Sequence, residues 1–144
     1  MFTNNLDPVA LQIFSLEIRW YSLAYIAGIS LGWLYCKKKL IKNPDLLNVF
    51  DDYITYLIIG IILGGRIGYV LFYNFEYYLE NPIEALMVWN GGMSFHGGLI
   101  GVLIASKLFS DKHKTNPFIF LDLVALSAPI GIFFGRVANF INSE

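Results

Sequence analysis

Apolar residues along the chain fall into four long runs, which short polar stretches separate. The runs lie near residues 20–36, 53–73, 92–109 and 118–140. Each has about the length that an α-helix needs to cross the roughly 30 Å hydrocarbon core of a bilayer. No stretch reads as a series of strands. The pattern predicts an all-α polytopic membrane protein, in which residues 1–144 form a single membrane domain with four transmembrane helices.

The charges of the polar stretches give the predicted helices a direction across the membrane. Lysines occupy the first connection at positions 37, 38, 39 and 42, and the third at positions 112 and 114, beside Lys107. The connection from Asn74 to Asn90 carries three glutamates and no lysine or arginine. Because lysine and arginine are enriched in cytoplasmic loops, we expect the first and third connections to face the cytoplasm. The N-terminus, the middle connection and the C-terminus then face outward.

Composition agrees with a membrane protein and excludes several other classes. Of the 144 residues, 56% are hydrophobic and 15% are charged, whereas soluble domains average about 25% charged residues. A net charge of −1 without a basic stripe argues against a nucleic-acid partner. One cysteine and two histidines argue against a disulfide framework and a metal site. The first apolar run lacks a basic n-region and a small-residue cleavage site, so we expect a retained transmembrane helix.

Glycines recur at four-residue spacing and predict how the helices pack. The repeats are Gly60, Gly64 and Gly68, then Gly97 with Gly101, and Gly131 with Gly135. Such small residues let helix backbones approach closely in lipid. Arg66 lies two positions from Gly64 and Gly68, on the opposite helix face. We therefore expect Arg66 to line a cavity or a groove at headgroup level.

The predicted orientation collects nearly all unusual polar residues, other than Asp122, at the outer side. Arg136 and Asn139 are three residues apart, so they share one helix face. A guanidinium binds phosphate oxygens bidentately, and an asparagine offers both a donor and an acceptor. Arg136 alone is equally explained by an arginine that extends to the interface. With Arg66 as a second arginine in the outer half, an anionic ligand such as a phospholipid headgroup is favoured.

His96 and Tyr21 are further candidates, each with a structural alternative. A lone histidine is more often structural than catalytic. Here Gly97 and Gly98 permit close approach of a backbone or a ligand, and an imidazole titrates near neutral pH, which suits a proton acceptor. Tyr21 is equally typical of an aromatic belt at the interface. Asp122 is interpreted as a structural contact between helices.

Three segments together resemble the signature motifs of the prolipoprotein diacylglyceryl transferases. They are residues 64–74 (GGRIGYVLFYN), 91–98 (GGMSFHGG) and 135–144 (GRVANFINSE). Trp20-Tyr21 matches the first-helix tyrosine of that family. The motifs occur in the family's order, and the resemblance covers the whole chain. Family members are about twice this length and resemble a seven-helix bundle, so the chain corresponds to their N-terminal half, and a downstream arginine and tyrosine of the family have no counterpart.

The resemblance implies an integral enzyme of the bacterial cytoplasmic (inner) membrane, with its active site toward the outer leaflet and no metal or cofactor. Such enzymes transfer the diacylglyceryl group of phosphatidylglycerol to the lipobox cysteine thiol of a prolipoprotein and release glycerol-1-phosphate. This transfer is the first step of lipoprotein maturation. The family's essential residues fall on Tyr21, His96, Arg136, Asn139 and Glu144.

This reaction gives each candidate an expected role. We expect His96 to act as general base or proton relay for the thiol. Arg136 and Arg66 would hold the phosphate, whose charge grows as the carbon–oxygen bond breaks. Asn139 would orient headgroup or glycerol hydroxyls, and Glu144 would position an arginine or a hydroxyl.

Two other functions are compatible with the pattern. One is a non-catalytic phospholipid-binding remnant of the enzyme, and a related alternative is half of a split enzyme whose C-terminal half another chain supplies. The other is a small transporter or channel component. Ionisable residues at the membrane midplane in corresponding repeats would favour a transporter, but the polar groups here cluster at one interface.

Overall fold

The computed structural model describes residues 9–13 and 16–142 and is helical over most of that range. Its helices are α1 (Trp20–Tyr35), α2 (Pro44–Phe72), α3 (Phe75–Glu80), α4 (Phe95–His113) and α5 (Pro117–Ile141). A π-helical turn, Cys36–Leu40, follows α1, and two 3-10 turns, Glu84–Leu86 and Val88–Asn90, lie between α3 and α4. The predicted all-α fold class is confirmed.

An antiparallel hairpin precedes α1, where the sequence pattern predicted no strands. Strand β1 (Val9–Ile13) pairs with strand β2 (Leu16–Arg19), and the register is irregular between Val9 and Leu11. Strands of five and four residues are too short for an alternating pattern to stand out from chance. The strand-free prediction is therefore wrong for this segment.

The chain forms two compact units. One comprises residues 1–44 and 122–144, and the other comprises residues 45–121. The single membrane domain over 1–144 stays a prediction. Helix α2 begins nine residues before its predicted start, at Pro44, because proline suits the first helical position and Asp45 in the first turn interacts favourably with the helix dipole.

In the first unit, α1 packs against the part of α5 that follows Asp122. A Cβ atom on Gly28 would lie 2.9 Å from Cα of Gly131, and one on Gly32 would lie 3.4 Å from Cβ of Ser127. A Cβ on Gly135 would meet no described atom within 4 Å. The glycine repeat predicted on this helix therefore makes a close contact at Gly131, and close packing at Gly135 stays a prediction.

In the second unit, the glycine repeats of α2 and α4 lie against each other. A Cβ atom on Gly60 would lie 2.6 Å from the Gly101 carbonyl oxygen, and one on Gly68 would lie 2.8 Å from Cα of Gly97. A Cβ on Gly64 would overlap the Gly97 carbonyl. The predicted backbone-to-backbone packing is confirmed for this helix pair, and it fixes the beginning of α4 against the second half of α2.

Aromatic side chains fill the other end of the second unit. The ring of Tyr53 lies 4.5 Å from that of Phe120 and 5.4 Å from that of Phe109, centroid to centroid. The Tyr53 hydroxyl and the Ser106 hydroxyl share a hydrogen bond of 2.9 Å. All four residues are completely buried. This cluster is the core of the unit, so the opposite end, with its polar groups, is free for function.

Two helices are long and apolar enough to cross a membrane, namely α2 with 29 residues and α5 with 25. Only 17% and 11% of their apolar windows are buried, so most of these side chains face outward, as in a membrane protein and unlike the core helices of a soluble one. Helix α1 has 16 residues, about 24 Å, and α4 carries Lys107, Asp111 and Lys112. Membrane crossing by α1 and α4 stays a prediction.

Candidate functional site

The second half of α2 carries an arginine whose side chain is almost completely buried. Arg66 is 4% exposed, and its guanidinium donates to four backbone carbonyls of the connection between α3 and α4. The acceptors are the carbonyl oxygens of Ala85 at 2.9 Å, Glu84 at 2.6 Å, Gly91 at 2.5 Å and Gly92 at 3.3 Å. These bonds can occupy four of the five N–H donors of a guanidinium. The connection encloses the guanidinium, so Arg66 does not open onto a groove at headgroup level as expected; that Arg66 binds a substrate stays a prediction.

Dipoles and aromatic rings surround the buried charge of Arg66. The carbon Cζ lies 5.2 Å from the ring centroid of Tyr78 and 6.0 Å from that of Tyr69, within the range of cation–π attraction. Among residues 9–13 and 16–142, no carboxylate forms an ion pair with this guanidinium. Backbone carbonyls and ring faces therefore compensate for the lost hydration of the cation.

Two glycines shape the connection so that its carbonyls reach Arg66. Gly91 and Gly92 both have a φ of 81°, which side chains other than that of glycine rarely tolerate. A Cβ atom on Gly92 would also overlap the ring of Tyr69, whereas one on Gly91 would meet no described atom within 4 Å. Position 91 thus requires glycine for its backbone angle alone, and position 92 requires it for space as well.

Ser94 joins this connection to the start of α4. Its backbone N–H donates to the Gly65 carbonyl at 2.8 Å, and its Oγ accepts the Gly97 N–H at 3.2 Å as the N-cap of the helix. The side chain is 4% exposed. An N-cap satisfies a backbone donor that the helix leaves unpaired. The neighbouring residues Gly65 and Arg66 therefore both bind the segment that leads into α4.

The side chain of Glu84 adds a further link within the same connection. Its Oε2 accepts the Tyr77 hydroxyl at 2.6 Å, while its backbone carbonyl accepts Arg66. The hydrogen bond to the Glu84 carboxyl raises the pKa of Tyr77, because it favours the protonated phenol. Tyr77 lies in α3, so Glu84 ties α3 and α2 to one short segment.

The first turns of α4 carry three of the predicted site residues. The imidazole of His96 is exposed and contacts the ring of Phe95, with centroids 5.7 Å apart. Gly97 is buried against α2. A Cβ on Gly98 would meet only Ile61, at 3.9 Å or more. Of the two glycines, Gly97 serves helix packing, and Gly98 leaves ordinary space beside His96.

The last turns of α5 combine a cation with unpaired acceptors. Arg136 is exposed and forms no hydrogen bond with a described residue. The carbonyl oxygens of the Asn139 and Asn142 side chains are buried and have no hydrogen-bond partner in the described chain. The backbone N–H of Asn142 is satisfied by the Ala138 carbonyl at 2.9 Å. A buried acceptor without a donor costs about 1–3 kcal/mol, so this end of α5 is suited to a ligand that brings donors.

The predicted site residues divide between the two units. Tyr21 and the Arg136–Asn139 pair belong to the first unit, and Tyr21 is the second residue of α1. Arg66 and the His96–Gly98 segment belong to the second. Glu144 lies outside the described residues. That all of them form one site stays a prediction.

Comparison with known proteins decides the family. The family model of the prolipoprotein diacylglyceryl transferases matches residues 8–144. The chain belongs to this family. All three motif segments lie inside the matched range.

Curated relatives agree with this membership. Phosphatidylglycerol–prolipoprotein diacylglyceryl transferase of Azospirillum brasilense is 57% identical over 96% of this chain and 53% of its own length. Proteins of the same name from Rhodospirillum centenum and Rickettsia bellii are 47% and 49% identical, over 96% and 97% of this chain. The chain spans about half the length of the curated relatives that it matches.

Sequence reasoning missed the roles of two residues that the structure brings forward. Ser94 caps α4 two residues before His96, and a serine three residues before Gly97 at the start of an apolar run is a recognisable N-cap signal. Asn142 carries the second unpaired acceptor, and its spacing of three residues from Asn139 repeats the spacing between Asn139 and Arg136. Both residues could have been identified from the sequence pattern.

Proposed function

We propose that this chain takes part in the transfer of the diacylglyceryl group from phosphatidylglycerol to the lipobox cysteine thiol of a prolipoprotein, the first step of bacterial lipoprotein maturation. Family membership over residues 8–144 supports this proposal. The names of the relatives specify the same lipid and the same class of acceptor protein. The chain spans about half the length of those relatives, so the test of the proposal includes their C-terminal half.

The observation that carries the proposal is the polar end of α5. Arg136 offers a guanidinium that forms no hydrogen bond with a described residue, and Asn139 and Asn142 offer two buried acceptors with no donor among the described residues. The headgroup of phosphatidylglycerol has the complementary chemistry, since it contains one phosphate anion and two free hydroxyl groups. A guanidinium binds the phosphate bidentately, and the hydroxyls would satisfy the two acceptors.

The reaction follows from this binding mode. A thiolate attacks the saturated glyceryl carbon, a sulfur–carbon bond forms, and the carbon–oxygen bond to the phosphate breaks. The bonding electrons leave with the phosphate oxygen of glycerol-1-phosphate, so negative charge grows there and no oxyanion hole is needed. Arg136 would stabilise that charge. His96 would accept the thiol proton as general base.

The remaining proposed roles concern placement. Tyr21 and Glu144 complete the family's residue set, with Glu144 holding an arginine or a hydroxyl in position. We place the protein in the bacterial inner membrane with four spans, both termini outside and the site toward the outer leaflet. The lysine-rich first and third connections and the lysine-free middle connection support this orientation.

A transfer assay tests the proposal directly. The chain would be placed in phosphatidylglycerol vesicles with a lipobox peptide, alone and together with the C-terminal half of a full-length relative, and the mass of the peptide would be followed. We expect a mass gain equal to one diacylglyceryl group in the mixture, and none in phosphatidylcholine vesicles. If neither arrangement modifies the peptide while phosphatidylglycerol still binds, the chain is a phospholipid-binding protein without transfer activity.

The base assignment has its own test. Exposed His96 can be replaced by alanine with little effect on folding. We expect His96→Ala to lower transfer by about 100-fold or more near neutral pH, with partial recovery at high pH, where more of the thiol is ionised. Near-normal transfer at every pH would show that another group removes the proton.

A further inference from the structure

Arg66 and Arg136 were both expected to bind phosphate, but their surroundings differ. Arg66 is 4% exposed, and its guanidinium already donates to carbonyls at both ends of the segment from Glu84 to Gly92. At most one N–H remains for a ligand. Bidentate binding of phosphate needs two parallel N–H groups, so Arg66 cannot bind phosphate in this way without releasing a backbone carbonyl.

The carbonyls that Arg66 holds lead straight to the beginning of α4. Gly91 and Gly92 accept from Nη1, and Ser94, two residues further, donates its backbone N–H to the Gly65 carbonyl. Two neighbouring residues of α2 thus hold three of the last four residues before α4. The Ser94 Oγ then caps the first turn, in which His96 is the second residue.

The geometry points to Arg66 as a positioning residue, which sets the first turn of α4, and with it His96, through the backbone carbonyls of residues 84–92. This inference rests on the proposed function in taking His96 as the group that accepts the thiol proton. Arg66 acts through the connection and does not contact the lipid phosphate. The planar fork of arginine is required because one ammonium cannot reach carbonyls at both ends of the segment.

Histidine NMR offers a direct test, because the chain has only two histidines. His96 lies beside the connection, whereas His113 lies at the far end of α4 against Phe109. With histidine labelled at Cε1 and the full chain in detergent micelles, His113 is an internal control. We expect Arg66→Ala and Arg66→Lys to shift or broaden the His96 signal and to leave the His113 signal unchanged.

Lipid binding supplies the second readout. We expect both Arg66 variants to bind spin-labelled phosphatidylglycerol within about twofold of the unaltered chain. Lys107→Ala is the charge-matched control, since it removes an exposed cation paired only with Asp111. A loss of about tenfold in phosphatidylglycerol affinity, corresponding to about 1.4 kcal/mol, with an unchanged His96 signal would overturn the inference, and so would no change in either readout.

Gly91→Ala distinguishes an effect of the backbone of the connection from an effect of the Arg66 charge. It leaves the Arg66 cation in place, meets no described atom within 4 Å, and disturbs only the backbone angle. We expect it to reproduce the His96 change. If Arg66→Ala lowers lipid affinity as well, an equal loss in Gly91→Ala supports positioning, and retained affinity in Gly91→Ala overturns it.

The test remains decisive where a variant or the proposed function fails. If Arg66→Ala does not fold, the His96 signal of Gly91→Ala decides, together with faster amide hydrogen exchange over residues 85–94. If the unaltered chain does not bind phosphatidylglycerol, the proposed function fails, but the histidine signals still show whether Arg66 holds the start of α4.

Discussion

The end of α5 and the second half of α2 each contain an arginine next to glycine, yet the two arginines are used differently. Arg66 is enclosed and donates to four backbone carbonyls. Arg136 is exposed and forms no hydrogen bond with a described residue. The side-chain carbonyl oxygens of Asn139 and Asn142 likewise have no hydrogen-bond partner among the described residues. One arginine therefore completes a structure, and the other leaves its binding capacity for a ligand.

The difference teaches how to separate a structural cation from a binding one. Both arginines lie in apolar helices, where a charge is costly and suggests function by default. The deciding quantity is the number of donors already satisfied within the protein. A cation whose donors are satisfied gains little from a phosphate, whereas a cation with free donors beside free acceptors gains a great deal.

The largest effect that would sharpen this comparison is expected at Arg136. Arg136→Ala should lower diacylglyceryl transfer by about 100- to 1,000-fold, the range seen when one group that stabilises developing negative charge is removed. Because the side chain is exposed, thermal unfolding should hardly change. The assay is peptide modification in phosphatidylglycerol vesicles with the C-terminal half of a relative present.

Arg136→Lys is the matched variant for the same assay. It retains the charge but not the bidentate geometry, so we expect intermediate activity with a raised KM for phosphatidylglycerol. Full activity in Arg136→Ala would remove the distinction between the two arginines, because neither would then be needed as a phosphate ligand.

A smaller effect is expected at two helix glycines near the arginines, Gly64 and Gly135. Gly64→Ala should destabilise the protein by about 1–3 kcal/mol, as overpacking usually does, because the new Cβ would overlap the Gly97 carbonyl. Unfolding in detergent with increasing denaturant would measure this. The helix pair α2–α4 is the site of the damage, so the His96 signal should also change.

Gly135→Ala is the control for that substitution. A Cβ at position 135 meets no described atom within 4 Å, and alanine is favoured over glycine inside a helix by about 0.5–1 kcal/mol. We expect unchanged or slightly higher stability. Equal losses at both positions would mean that Gly135 packs as closely as Gly64, against the contacts described for α5.

Much of this architecture was predictable because membrane helices and glycine repeats leave strong local patterns. The close backbone packing at Gly60 and Gly64 followed from spacing alone, whereas their partner, α4, was not predicted. The enclosure of Arg66 could not be predicted, since its partners are backbone carbonyls 18 to 26 residues away. Every residue has a backbone carbonyl, so the sequence does not show which ones accept. For the same reason Arg66 and Arg136 looked alike before the structure.

The smallest effect concerns Asn142, and its sign makes it informative. A binding residue with an unpaired buried acceptor should be costly in the ligand-free protein, so Asn142→Ala should leave stability unchanged or raise it by up to about 1 kcal/mol. The same variant should weaken phosphatidylglycerol binding by about tenfold or less, which corresponds to about 1.4 kcal/mol.

Asn116→Ala is the opposite control at the start of α5, because the Asn116 Oδ1 accepts the Phe118 N–H at 3.0 Å. Loss of that cap should lower stability by about 1 kcal/mol and leave lipid binding unchanged. If Asn142→Ala instead lowered stability as Asn116→Ala does, its acceptor would be satisfied within the protein. The contrast between the end of α5 and the surroundings of Arg66 would then rest on Arg136 and Asn139 alone.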